Sequence, residues 1–178
     1  MKYVDFLVYV RSDIRKYNKL RYRRSCKNFR WIQLLSFRVF PVFLLRLSLY
    51  LHARNHVILS GVLKLILFHL YSLEFSSQII IRRGLFIGHT VGVVLGAREI
   101  GSNCIISGMC SIGSKEMDVS NNSNLRPVIA DNVTIGSGSR ILGPIKICRD
   151  VVIGANAVVP FDIMVPGLYL GVPVTRHE

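Results

Sequence analysis

Every sixth residue between Ile129 and Val165 is β-branched: Ile129, Ile135, Ile141, Ile147, Ile153, Val159 and Val165. Small or β-branched residues recur four places on, at Val133, Ser139, Ile145, Val151, Ala157 and Ile163. Helices repeat every 3.6 residues and strands every two, so a period of six belongs to neither. It is an internal repeat, and hexapeptide repeats are the sequence mark of a parallel β-helix. The beat extends back through Ile81, Ile87 and Val93, slips by one residue, and resumes at Ile100, Ile106 and Ile112. It stops over GSKEMDVSNNSNLRP, Gly113 to Pro127. That polar stretch reads as a loop thrown out of the solenoid, and long loops of this kind are commonly functional. About 13 hexapeptides are expected, or roughly four coils at three per coil. Gly88, Gly101, Gly136 and Gly154 follow β-branched positions, where corners are expected to need a permissive backbone.

The region before the repeat is different in kind. Met1 to Tyr71 holds 14 Lys and Arg against Asp5 and Asp13, whereas Ser72 to Glu178 is almost balanced. Such asymmetry points to an anionic partner for the first part. Val4, Leu7, Val8 and Ile14 suit a helix ending near Tyr22, and Lys19 to Arg30 is the densest positive run. Trp31 to Leu51 is apolar on more than one face, with Pro41 expected to kink or restart the helix, and His56 to Leu73 reads as a further helix carrying one charge, Lys64. Two parts are expected: residues 1–73, helical, basic and apolar, for oligomerisation or a membrane surface; and residues 74–178, the β-helix, with loop 113–128 extruded. No signal peptide is expected, and no apolar run approaches the ~18 residues a spanning helix needs. An amphipathic surface on the inner leaflet is the sharper reading of the first part, and a helical cap packed on partner subunits the plainer one.

Cys104 and Cys110 stand six apart and fill the small inward position, so they read as reduced core residues. Neither CxxC pairs nor His at ligand spacing accompany the cysteines, and His89 is the one His inside the solenoid; no metal site is expected. His89 falls at a turn, and an imidazole titrating near neutrality is a natural general base toward an alcohol.

GLFIGHTVGVVLG, IGSGSRILGPIKI, IGANAVVP and VPGLYLGVP resemble the hexapeptide acyltransferases, in particular the serine acetyltransferase-like branch. The resemblance covers about residues 74–174, and the helices before the β-helix fit it too. It implies a left-handed β-helix, a trimer, and acyl-CoA laid between adjacent β-helices, with turn amides polarising the thioester carbonyl. The family's catalytic His matches His89. Its orienting acid, fifteen residues earlier, matches Glu74, where Glu replaces Asp. Cofactor positions match Gly113, Ser114, Ser137 and Ala155, with Arg140 a candidate for a phosphate. The family's Arg-His-Pro, whose Arg clamps the serine carboxylate, matches Leu125-Arg126-Pro127. Losing that clamp weakens recognition of a free amino acid, and leaves Arg126 to bind a carboxylate, an acidic sugar or CoA phosphates.

The expectation drawn is an acetyl-CoA-dependent O-acetyltransferase, closest to polysaccharide and capsule enzymes. It would act on a bacterial surface polysaccharide or lipid-linked glycan, in the cytoplasm and peripherally on the inner membrane face. The alternative is serine O-acetyltransferase of cysteine synthesis, with L-serine as acceptor; a non-catalytic β-helix scaffold is a third reading. Nucleic acid is not an expected partner, since the basic run has few interleaved aromatics and no known motif.

Overall fold

A computed structural model describes residues 3–22, 33–34, 36–116 and 122–177. Most of the basic run Lys19–Arg30 lies outside the described residues, as do Cys26 and Trp31. Three helices come first: α1 (Tyr3–Tyr22), α2 (Phe40–His52) and α3 (Val57–Tyr71). The inward stripe of α1 is Phe6, Val10, Ile14 and Tyr17, at helical spacing, and it packs with Val39 in a small core. Val8, expected on that face, is exposed instead. The second helix restarts at Pro41, because a first-turn proline forfeits no intrahelical hydrogen bond. Ser48 and Ser60 are buried where α2 crosses α3; each hydroxyl donates to the other residue's carbonyl, at 3.0 Å. The third helix ends on Ser72 in the left-handed region (φ 49°), and the solenoid begins one residue later.

The solenoid winds through three faces. The first coil is β1 (Leu73–Phe75), β2 (Ile80–Ile81) and β3 (Phe86–Ile87); the second is β4 (Val93–Leu95), β5 (Glu99–Ile100) and β6 (Ile105–Ile106). Next come β7 (Ser111–Gly113), β8 (Val128–Ile129) and β9 (Thr134–Ile135), then β10 (Arg140–Leu142), β11 (Lys146–Ile147) and β12 (Val151–Ile153). The chain closes with β13 (Val158–Val159), β14 (Gly167–Gly171) and β15 (Val174–His177). Sheet A stacks β1-β4-β7-β10-β13, sheet B β2-β5-β8-β11, and sheet C β3-β6-β9-β12-β14-β15, all parallel except the terminal β14–β15 hairpin. One face of every strand points inward, so the sixfold beat becomes columns such as Ile87–Ile106–Ile135–Ile153, each member 1% exposed or less. Burying each such side chain contributes roughly 1.5–3 kcal/mol. Cys104 and Cys110 are buried free thiols on that interior.

Three details differ from the beat. The last slot is not Val165, which is exposed; Ile163 is buried and bridges Ile147, because only three residues separate it from Val159. The one-residue slip proves to be two irregularities. Leu95, not Val93, is in register with Ile112; the corner before Leu95 therefore holds two extra residues, and the next corner is one residue short. Of the four glycines expected at corners, Gly101 and Gly136 act by close approach rather than by dihedral freedom. A Cβ on Gly136 would sit 2.6 Å from the backbone of the coil above, whereas one on Gly88 would meet nothing nearer than 3.8 Å. Several left-handed positions go to Asn103, Asn132 and Asp150 (φ 61° each), residue types that tolerate that region, and others to glycines such as Gly84 and Gly138.

A buried ion pair fastens the helices to the first coil. Arg46 Nε donates to Asp13 Oδ2 at 2.8 Å, with the two side chains 1% and 6% exposed. Arg46 also donates to the carbonyls of Ile81 and Arg82, both at 2.6 Å, and Asp13 Oδ1 accepts the Leu85 N–H at 2.8 Å. One Arg and one Asp thus tie α1, α2 and the β2–β3 corner together.

Candidate active site

The corner joining sheet C to sheet A is a column of stacked turns. Gly138 N–H donates to Gly108 O, and Asn156 N–H to Ser137 O, so Gly108, Ser137 and Ala155 stand one above another. Successive coils are ~4.8 Å apart. In the first coil His89, Thr90 and Val91 occupy the place that Gly108 alone fills above them. This is where the two extra residues lie. Met109 N–H donates to Val91 O, and Val93 N–H to Thr90 O, which pins the bulge. A Cβ on Gly108 would meet His89 Cβ at 3.1 Å, so the glycine leaves His89 its position. His89 is exposed, and its imidazole makes no hydrogen bond among the described residues. Thr90 is buried, and its hydroxyl has no partner among the described residues.

This column can hold an acyl-CoA. Ser137 and Ala155 are exposed, and their N–H groups donate to no acceptor among the described residues. Two free amide donors on a convex corner are what a thioester or its amide-bearing arm would need. Arg140 also belongs here. Its Nη1 donates to the carbonyls of Met109 (2.6 Å), Gly138 (3.0 Å) and Ser139 (3.2 Å), so much of its charge already serves to brace the corner.

Across sheet A lies a cleft. Glu74, Val94, Ser111 and Arg140 form one outward column on this face. Around Glu74 opens a volume of about 640 Å³, lined at the sheet's far margin by Gly113, Ser114 and Arg126, and roofed by His52 and Lys64 from α2 and α3. Lys64 Nζ donates to Ser77 Oγ at 3.1 Å and stands 5.5 Å from the Phe75 ring centroid. Asn122 begins a short 3-10 turn, Ser123–Leu125, that delivers Arg126 to the cleft; residues 117–121 lie outside the described ones.

The residues singled out in the sequence thus form two groups. His89, Ser137, Arg140 and Ala155 share the corner; Glu74, Gly113, Ser114 and Arg126 share the cleft. Within the chain His89 is not among the residues lining the cleft, and no hydrogen bond joins it to Glu74. Lys64 and His52 escaped the sequence reading, although Lys64 carried a signal, as the single charge in an otherwise apolar helix. Thr90 carried none. Among the described residues no three His, Cys, Asp or Glu are grouped to hold a metal.

Comparison with known proteins agrees with this geometry. The bacterial transferase hexapeptide (six repeats) family matches residues 126–160. A serine acetyltransferase of Helicobacter pylori is 34% identical over 119 residues, 66% of this chain and 68% of that protein. One of Mycobacterium tuberculosis is 39% identical over 89 residues, 49% of this chain but only 38% of that longer protein. The crystal structure of the Neisseria gonorrhoeae serine acetyltransferase superposes with a TM-score of 0.83 at 21% identity, covering 99% of this chain and 67% of that one, which shows a common fold. These relatives overturn the expectation of a polysaccharide or glycan acceptor. That expectation rested on the basic, apolar N-terminal region and on the Arg that became Leu125, and the cleft supplies other cations, Lys64 and Arg126, around the same space. With its sixfold solenoid, its corner of free amides and an H. pylori relative covered over two thirds of its length, the chain belongs to the serine acetyltransferase family of hexapeptide-repeat transferases.

Proposed function

We propose that the chain is an acetyl-CoA-dependent transferase that moves the acetyl group to the hydroxyl of L-serine. The observation that carries this reading is the 34% identity to the H. pylori enzyme over 68% of its length. Serine acetyltransferases solved with serine and with CoA share the fold and lend support.

The chemistry assigned to the residues is acyl transfer by general base. His89 takes the hydroxyl proton as the serine oxygen attacks the thioester carbonyl. The N–H groups of Ser137 and Ala155 bind the acyl-CoA arm and steady the oxyanion. Collapse of the tetrahedral adduct breaks the C–S bond, and the imidazolium returns its proton to the CoA sulfur. Glu74 steadies that imidazolium as a carboxylate partner. Lys64 and Arg126 take over the carboxylate clamp. Because His89 does not line the cleft of its own chain, we place the corner of one copy against the cleft of the next, as a trimer would arrange them.

The test is CoA thiol release with L-serine as acceptor. Serine should raise the rate well above the serine-free background, and no rise overturns the reading. His89→Ala should lower kcat by about 10²–10⁴-fold without changing oligomer size. Lys64→Ala should raise KM for serine about tenfold or more, the worth of a charge-assisted hydrogen bond, and leave KM for acetyl-CoA alone.

A further inference from the structure

The outward side of α3 is apolar, and no described residue covers it. Ile58 is 87% exposed and Leu70 71%, and Val57, Leu59, Val62, Leu65 and Phe68 are also exposed, with no Asp, Glu, Lys or Arg among them. Only Ser60 and Leu67 of this helix are buried. Lys64, its one formal charge, turns toward Ser77 and the cleft. The apolar strip continues at the C-terminal end, where exposed Phe37 packs on Tyr71 with ring centroids 5.8 Å apart. Exposed Arg54 and His56 precede the helix, and exposed Arg38 follows Phe37 in the chain, so cations stand at both ends of the strip.

The charge around this strip selects its partner. Among the described residues Arg38 and Arg54 are the exposed Arg or Lys beside it, and between Ile14 and Leu73 the sequence holds no Asp or Glu. Two copies meeting face to face through this strip would set like charges against each other. A surface that is apolar inside and anionic outside fits both features. An interfacial helix has this pattern, with one apolar face, Arg and Lys at its margins, and aromatics at the boundary. At fifteen residues α3 is ~22 Å long, and among the described residues no helix is long and apolar enough to cross a membrane. Lying in the plane is the geometry left to it.

We propose that the outer face of α3, with Phe37, docks on an anionic phospholipid bilayer, its apolar side chains in the acyl boundary and Arg38 and Arg54 on lipid phosphates. Docking would set the acceptor cleft beside the lipid, because a groove lined by Gly61, Leu65, Phe68 and Phe75 runs from this face to Glu74.

Flotation of the full chain with vesicles tests this. The protein should float with equimolar phosphatidylcholine and phosphatidylglycerol vesicles and not with phosphatidylcholine alone. Molar salt, where the Debye length is ~3 Å, should release most of it. Ile58→Glu with Val62→Glu should cut the bound fraction on the order of tenfold, and Arg38→Glu with Arg54→Glu should do likewise at low salt. Both variants should keep the wild-type melting temperature and serine-dependent activity in solution. Binding to neither vesicle, or binding unmoved by both variants, overturns the proposal. So does a smaller oligomer for Ile58→Glu with Val62→Glu without any vesicle binding, since the face would then join copies of the chain.

Discussion

On the proposed mechanism the chemistry of the corner rests on His89, and Gly108 leaves that side chain its room. A methyl group on Gly108 would stand 3.1 Å from His89 Cβ, closer than most Cβ contacts, and at an ordinary 3.5 Å from Val91 O. Gly108→Ala should therefore shift the imidazole by a few tenths of an ångström while the coil above stays stacked. The expected result is a fall in kcat of about threefold to tenfold with KM values and melting temperature close to wild type; an unchanged kcat would show that His89 has room to spare. Cys104 gives the residue scale its pH dependence. Burial pushes its thiol from an ordinary value near 9.0 up to about 11, since desolvation penalises the thiolate. An unfolded chain would release this proton near pH 9, while the folded one holds it. The stability gained is thus complete below pH 9 and lost as pH rises through about 11, amounting to about 2–3 kcal/mol at most. Thermal melts near pH 8 and near pH 10.5 check this: the alkaline drop should shrink in Cys104→Ala, whatever the cavity costs at both pH values.

The elements differ in how much of them could be read beforehand. Columns such as Ile87–Ile106–Ile135–Ile153 are visible in the sequence because one solenoid position needs one kind of side chain, coil after coil. The bulge at His89 is not, because two residues gained before Leu95 and one lost after it leave a net slip of one, and only strand register separates them. The helices were legible as helices, but not what they hold. In the sequence Arg46 interrupts an apolar stretch, yet it is 1% exposed and bonded to Asp13 and two carbonyls of the first coil. Partners 33 to 36 residues away leave no local pattern. Arg46→Ala would strand the Asp13 charge in the interior, and should cost about 3–5 kcal/mol in urea unfolding. The double variant with Asp13→Ala should cost clearly less than the two single losses added together. A loss under about 1 kcal/mol for Arg46→Ala would mean that the helices hold to the solenoid by apolar packing alone.

At the scale of the whole molecule, the separation of corner and cleft decides what an active unit is. His89 and the amides of Ser137 and Ala155 stand at one margin of sheet A, and Arg126 and Ser114 at the other, with the three-residue strands of that sheet between them. A chain acting alone would have to bring the two margins together around its own sheet, whereas a neighbour in a ring can present its corner to the cleft directly. The two arrangements differ in a mixing experiment. His89→Ala spoils every corner, and Lys64→Ala with Arg126→Ala spoils every cleft, so each variant alone should be nearly inactive at low serine. If sites are shared, equal co-expression of the two should restore activity in about a quarter of the interfaces, those where an intact corner meets an intact cleft. If each site lies within one chain, no combination contains an intact one and the mixture stays as inactive as its parts. Serine-dependent thiol release from the purified mixed oligomer reads the result, and its absence would remove the interface from the mechanism while leaving His89 as the base.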